Sequence, residues 1–364
     1  MIEWCKKCVL PNTRPNLKFN SHGICSACIN NEKKKIINWN LREKKFKELI
    51  KKIKKLSTGY DCLIPVSGGK DSTWQILKAK KFGLKILAFT WKTPFRTKIG
   101  QQNLNNLINL GVDHIDWTIN PKLEKKITKK TFKLKGSTAI TMHSAIFNLP
   151  LTVASNLNIP LVLWGENSSY EYGDDKNISS NYILDDKWKK KYGVTNDVDL
   201  IKILKKEKND YSNSYNIFDY NKKKKIFSVF LGHFFKWDPL SIYKEIKKFG
   251  FNESSKPKVG YYNFADIDDD CIMPIHHWLK WYKFGFTRKF DNLSIEIRNN
   301  RMSRLRAVDL LKKENYKPPL KAINKFCEYY GFSKKEFFKI CEKFRNKKIW
   351  EKKNKVFHLK KFIF

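Results

Sequence analysis

Between residues 61 and 167, short apolar runs alternate with longer stretches whose apolar positions recur every three or four residues. The runs DCLIPV (61–66), LKILAFTW (84–91), DHIDWTI (113–119) and IPLVLWGEN (159–167) predict four strands. DSTWQILKAKKFG (71–83) and QQNLNNLINLG (101–111) predict helices stopped by Gly83 and Gly111. TAITMHSAIFNLPLTVASNLN (138–158) predicts a third helix, broken or kinked at Pro150. Such alternation predicts an α/β fold: a parallel sheet with helices on both faces and its ligand at the carboxyl ends of the strands. Before the first strand, residues 32–57 predict a charged helix. Residues 168–225, polar and rich in Asn, Asp and Lys, predict an insertion covering that carboxyl edge. Helical patterns dominate from residue 226 onward, including LSIYKEIKKFG (240–250), MPIHHWLKWYKFG (273–285) and RLRAVDLLKKEN (304–315). KPPL (317–320) precedes two more helices, and a basic tail closes the chain.

Three parts are expected: residues 1–31, residues 32–240 with the 168–225 insertion, and a helical region over 241–364. The chain has 364 residues, 41% of them hydrophobic, enough to fill a sizeable core. No apolar run approaches the ~18–20 residues of a membrane span, and MIEWCKKC lacks the apolar middle of a signal peptide. A cytoplasmic protein is expected. The formal net charge of +39 suits a polyanionic partner, but nearly all of it is Lys rather than the Arg that nucleic-acid readers favour. Runs such as NEKKKIINW and NKKKKIF suit solvated helix faces, so nucleic acid is not the expected partner.

Four of the eight cysteines, Cys5, Cys8, Cys25 and Cys28, stand in two CxxC pairs within the first thirty residues. Paired knuckles of this spacing complete a tetrahedral four-thiolate site, and a ribbon this small needs such glue. Structural Zn2+ is expected, and an iron–sulfur cluster also suits four thiolates.

SGGKDS (67–72) stands between the first strand and the first helix of the array. It lacks the Walker A spacing, because no second glycine precedes a Lys-Ser or Lys-Thr pair. It matches S-G-G-x-D-S, and so resembles the PP-loop ATP pyrophosphatases (the adenine nucleotide alpha hydrolase-like fold). In such a loop Gly68 and Gly69 let backbone N–H groups approach phosphate, while Ser67 and Ser72 add hydroxyls. Lys70 adds charge, and Asp71 caps the helix or helps hold Mg2+. Thr90, at the end of the second strand, is a further candidate for ATP. The resemblance implies cleavage between the α- and β-phosphates: a substrate oxygen is adenylylated, then AMP is displaced.

Two acceptors compete. A tRNA thiolase or other tRNA-modifying enzyme can combine a cysteine ribbon with this loop, but such enzymes generally carry further cysteines, and none lies between residues 63 and 270. The second is an amide. CKKCVLPNTRPNLKFNSHGICSAC, PVSGGKDSTWQ, WGENSSYEYG and HHWLKWYKFGFTRKFDNLSIEIRNNRMSRLRAVDLL follow in that order, and together resemble the N-acetyl sugar amidotransferases. These make acetamidino sugars for lipopolysaccharide O-antigen or flagellin glycans. The resemblance covers residues ~1 to ~315, with Asn300 standing where glycine is expected.

It implies that a sugar or nucleotide-sugar acetamido group, ATP and ammonia give an acetamidino group, AMP and pyrophosphate. It also implies a separate glutamine amidotransferase and a cyclase-like subunit, resembling the two imidazole-glycerol-phosphate synthase subunits, as the ammonia source. Glu166 and Asn167, just past the fourth strand, are expected to contact Mg2+, substrate or the adenylated amide. Lys283 and Arg288 are expected to neutralise the leaving pyrophosphate. Arg298, Arg301 and Arg304 are expected to bind an acidic group of the sugar, from one helix face if the segment is helical. Of the adjacent His276 and His277, which point ~100° apart on a helix, only one is expected to face the site. His277 is the candidate. Asp268, Asp269 and Asp270 suit metal, but a plain acidic loop is the commoner reading of such a run.

Overall fold

A computed structural model describes residues 1–173, 182–193, 225–314, 316–354 and 356–363. The expected 168–225 insertion lies mostly outside the described residues. The ribbon leads into helix α1 (Ser26–Lys35), and α2 (Trp39–Leu56) follows. The single charged helix expected here is therefore two. Asn38 divides them by accepting a hydrogen bond from the Leu41 N–H at 3.0 Å, which caps α2.

The sheet layer then runs β1 (Cys62–Pro65), α3 (Lys70–Lys81), β2 (Ile86–Trp91), α4 (Lys98–Ile108) and β3 (Asp113–Trp117). It continues through α5 (Pro121–Lys135), α6 (Ile140–Asn156) and β4 (Leu161–Trp164). Next come α7 (Ser168–Tyr172), α8 (Asp186–Tyr192), β5 (Phe227–Phe230), α9 (Leu231–Phe234) and α10 (Pro239–Lys247). α6 stays one helix through Pro150 rather than breaking there. The five strands are all parallel, in the order β3-β2-β1-β4-β5. β5, a fifth strand just beyond the polar stretch, where helix was expected, was absent from the expected four.

Side chains alternate across the sheet with the period of two that a strand imposes. Cys62, Ile64, Ile86, Ala88, Leu161, Leu163 and Val229 face one core, filled by Phe46 and Ile53 of α2, Trp74 of α3, Leu104 of α4 and Ile242 of α10. Leu63, Leu87, Phe89, Val162, Trp164 and Phe230 face the other, filled by Ile127 of α5 and Ala145 and Leu149 of α6. Because both faces are covered at the centre of the sheet, β1, β2 and β4 read as continuous apolar runs, whereas the edge strand β3 does not. The first core runs on through Ile267, past the boundary expected at residue 240.

The rest is helical: α11 (Ile272–Phe284), α12 (Arg288–Arg298), α13 (Arg304–Lys312), α14 (Leu320–Tyr330) and α15 (Lys334–Lys343). The expected basic tail is instead an antiparallel hairpin, β6 (Trp350–Lys353) with β7 (Val356–Leu359). Its Ile349 and Trp350 share a core with Cys5, Cys8 and Leu10 of the ribbon and with Trp281, Phe290 and Leu293 of α11 and α12. Ribbon and C-terminal region are thus packed as one body. Among the described residues, no helix is long and apolar enough to cross a membrane.

Candidate active site

The chain leaves β1 at Pro65 and turns sharply before α3. Gly68 has φ +83°, and a Cβ there would stand 2.4 Å from the Gly100 carbonyl oxygen of α4. Only glycine fits so close an approach in that conformation. The Ser67 N–H donates to the Ser72 hydroxyl at 2.9 Å, closing the loop on itself, and the Gly69 N–H donates to the Ser67 hydroxyl at 3.3 Å. Gly69 takes the cap position of α3 with no side-chain cap, leaving the first N–H groups of a twelve-residue helix for an anion. Lys70 pairs with Asp71 and lies 5.1 Å from the ring centre of Trp237, whose indole N–H donates to Asp71 at 2.8 Å.

The loop forms one end of a cavity of about 720 Å³. β1 and β4 are neighbours from which the chain departs in opposite directions, so the cavity opens where doubly wound sheets place ligands. Ser67, Gly69, Lys70, Asp71 and Ser72 line it, with Thr90 from β2 and Glu166 after β4. His277, Lys283 and Arg288 line it from α11 and α12. Gly68 is turned under α4. Asn167 is buried at the start of α7, accepting the Ser169 hydroxyl at 2.6 Å, and is not part of the lining.

Burial and the neighbouring Asp71 push the Glu166 carboxyl up to about 7. Burial likewise lifts Asp268, hydrogen-bonded to Ser67, to about 6. Across the cavity the balance reverses. Burial would raise Asp266, yet the Arg288 guanidinium beside it holds it well below the usual carboxylate range. Arg288 donates from Nε to Asp266 at 3.0 Å and from Nη1 to the Tyr172 hydroxyl at 3.3 Å. Asp291 is fully buried, held by the Arg14 guanidinium at 2.9 Å with the Lys280 ammonium at 3.9 Å. Burial brings Lys280 and Lys283 down to about 8. Asp269 caps α11 by accepting the Cys271 and Met273 N–H groups, and Asp270 pairs with Lys325 at 2.6 Å.

Both histidines of the pair line the cavity, against the expectation that one would turn away. The wall on that side comes from α6 as well as α11, so imidazoles 100° apart meet the same space. Conversely, the arginine trio is not at the cavity. Arg298 ends α12 and Arg304 begins α13, so the segment between them is a turn rather than one helical face. Arg298 is buried and donates to the Glu171 carbonyl at 3.0 Å, Arg301 pairs with Asp238 and Glu296, and Arg304 donates to the Cys8 carbonyl at 3.2 Å. Asn300 has φ +57°, so it adopts the conformation for which glycine was expected.

The four N-terminal thiols are buried and lie within 4.8 Å of one another, with Cys8 and Cys25 sulfurs 3.6 Å apart. Thiolates ~2.3 Å from one tetrahedral ion stand ~3.8 Å apart, so the cluster fits a metal ion. The Cys25 and Cys8 N–H groups donate to the Cys5 sulfur at 3.2 and 3.4 Å, as they would to a thiolate. The buried Arg298 Nη1 has no hydrogen-bond partner. Burial disfavours the Arg298 charge, but the thiolates of Cys8, Cys28 and Cys25 more than restore it.

Arg14, His143, Asp266, Lys280 and Asp291 line the cavity without having been singled out in the sequence. Arg14 was the most legible, as the ribbon's only arginine. Asp266 opens the acidic run DIDDD, whose later members drew notice. His143, Lys280 and Asp291 sit inside ordinary helical patterns and carry no local signal.

Sheet order and loop define an open, doubly wound α/β protein with a phosphate-type loop at its switch point. Residues 232–363 match the family model described as LPS biosynthesis protein WbpG-like, C-terminal domain. No curated protein matches the chain. Among solved structures the chain is similar to NMN synthetase from Francisella tularensis, with 12% identity over 83% of this chain and 96% of that one. The TM-score is 0.34, too loose a superposition to bear on fold or chemistry.

Proposed function

We propose that this chain is an ATP-dependent amidotransferase that adenylates the acetamido oxygen of a sugar or nucleotide sugar and installs ammonia in its place. AMP and pyrophosphate are the products. The observation that carries this reading is one cavity with two unlike ends. An SGGKDS loop with an uncapped helix N-terminus forms the first, and a buried wall of Arg, Lys, His and Asp side chains forms the second. The match of residues 232–363 to a lipopolysaccharide-biosynthesis model supports a sugar as the second substrate.

An amide carbonyl is a poor electrophile, and adenylation of its oxygen supplies a leaving group. Ser67, Gly69 and Ser72 would bind the phosphates, with Thr90 beside the nucleotide. Lys70, Lys283 and Arg288 would balance the charge of the departing pyrophosphate. Asp71 and Glu166, the latter raised by burial and by the Asp71 charge, would hold Mg2+, which supplies charge neutralisation at the phosphates. Zn2+ in the four-cysteine site would be structural, because the site packs against α11 and α12 and no Cys sulfur lines the cavity among the described residues. That same absence weighs against a tRNA thiolase. Ammonia would come from a glutamine amidotransferase with a cyclase-like partner, in the cytoplasm.

The test is product analysis with ATP, ammonium and a panel of UDP- and CMP-linked acetamido sugars. AMP and pyrophosphate formed in step with an amidine are expected. Release of ADP and phosphate, or a sulfur-bearing tRNA product, would remove this reading.

A further inference from the structure

Three imidazoles meet on one wall of the cavity. His143 of α6 and His276 of α11 have ring centres 5.6 Å apart, and His276 and His277 are 5.3 Å apart. The Nδ1–H of His143 donates to the Ala139 carbonyl at 2.7 Å, which fixes its tautomer and leaves Nε2 as an acceptor. His277 is 3% exposed, and neither of its ring nitrogens has a hydrogen-bond partner. Its nearest carboxylate oxygen, on Asp266, is 3.7 Å from Nε2, longer than a hydrogen bond. A buried imidazole left unsatisfied on a cavity wall is costly unless a ligand completes it.

We propose that this cluster is the subsite for the nitrogen nucleophile, and that His277 takes the proton ammonia sheds as it attacks. This rests on the amidotransferase reading. The amide oxygen attacks the α-phosphorus, and the bond to the bridging oxygen breaks with its electrons leaving on pyrophosphate. The ammonia lone pair then forms a C–N bond to the O-adenylyl imidate carbon, the C=N π pair moving onto the sugar nitrogen. One N–H proton passes to a ring nitrogen of His277. The C–O bond breaks, its electron pair departs with AMP, and the amidine remains.

The surroundings suit a free base. His276 and Lys280 face His277 from its own helix, Asp266 from the preceding loop and Arg288 from α12, with His143 reaching the cluster from α6. Burial first, then Lys280 and Arg288 against the opposing pull of Asp266, hold His277 down at about 4. Burial holds His143 at about 4 as well. The imidazoles are therefore neutral at physiological pH, and the same cationic neighbours favour NH3 over NH4+. When the anionic adenylate forms beside Lys280 and Arg288 it offsets their charge, and the ring becomes a better proton acceptor at the step that needs one.

The experiment compares His277→Asn with wild type on two nucleophiles, ammonium and hydroxylamine, from pH 7 to pH 9. Hydroxylamine loses its proton more readily and depends less on a base. A fall of at least ~100-fold with ammonium is expected at pH 7, with a much smaller fall for hydroxylamine and recovery of the ammonium reaction as pH rises. Equal losses for both nucleophiles at every pH would mean a structural role and overturn the proposal. His277→Gln is the second variant. Should neither fold, the solvent deuterium isotope effect on wild type at limiting ammonium decides: a clear normal effect supports proton transfer, and a value near unity overturns it. If wild type forms no AMP with any sugar of the panel, the amidotransferase reading itself fails and takes this proposal with it.

Discussion

At the loop end of the cavity, residues 67–72 occupy one turn between β1 and α3, closed by hydrogen bonds within the turn, with α4 and Trp237 packed against it. At the opposite wall, Arg14 comes from the ribbon, Asp266 from a loop, His277 and Lys280 from α11, and Arg288 and Asp291 from α12. The first end works through backbone shape. Its glycine conformation and helix terminus exist as soon as the turn forms. The second works through charge balance, because each buried ion there is tolerable only beside its partner. A substitution at the loop should therefore cost function, whereas one at the wall should cost stability as well.

The largest effect is expected from Gly68→Ala. The added Cβ meets the Gly100 carbonyl and sits on a backbone at φ +83°, so the loop must shift. A displacement of about 1 Å at a reacting centre costs about 100-fold in rate, so AMP release should fall at least that far while the circular dichroism spectrum stays unchanged. Unaltered turnover would show that the loop end is not set by local shape.

Arg288→Met tests the wall. Asp266, half-buried on the cavity wall, would lose the guanidinium that keeps it charged. Removal of one partner of a buried pair costs about 3–5 kcal/mol, read as a lowered urea midpoint. Asp266→Asn in the same chain should recover part of the loss. If the single substitution left the midpoint in place, the contrast between the two ends would collapse.

The smallest effect on catalysis belongs to Arg301→Gln. Arg301 joins Asp238 and Glu296 away from the cavity, so KM for the sugar should not change. Stability should fall by about 1–3 kcal/mol, the cost of unpairing buried carboxylates. A raised KM would return this arginine to the substrate and extend the wall beyond its present lining.

The contrast also explains what could be read in advance. The four sheet strands, the loop and the cysteine pairs were legible because each is a local pattern: apolar runs of strand length, a six-residue motif, two CxxC spacings. β5 was hidden because FSVF is short and follows a lysine-rich polar stretch. The terminal hairpin was hidden because WEKK and VFHL alternate too briefly amid lysines to stand out from a basic tail. The arginine trio misled because its spacing suggested one helix face, whereas a turn with Asn300 in the left-handed region divides it. Asp266 adopts the same region, at φ +52°, and no local pattern announces it.

The amino-acid sequence by itself determined the alternating sheet, the phosphate-type loop at the end of its first strand and the four-thiolate knuckles, because backbone preference and nearest neighbours suffice for these. Only the tertiary structure decided that Arg14 crosses from the ribbon to Asp291, that three histidines share one wall, and that Arg298 serves the thiolates rather than the cavity. Those outcomes depend on which buried charges find each other once the ribbon and the C-terminal helices close on a common core. Electrostatic pairing in a low-dielectric interior depends on distance in space, and separation along the chain leaves that distance open.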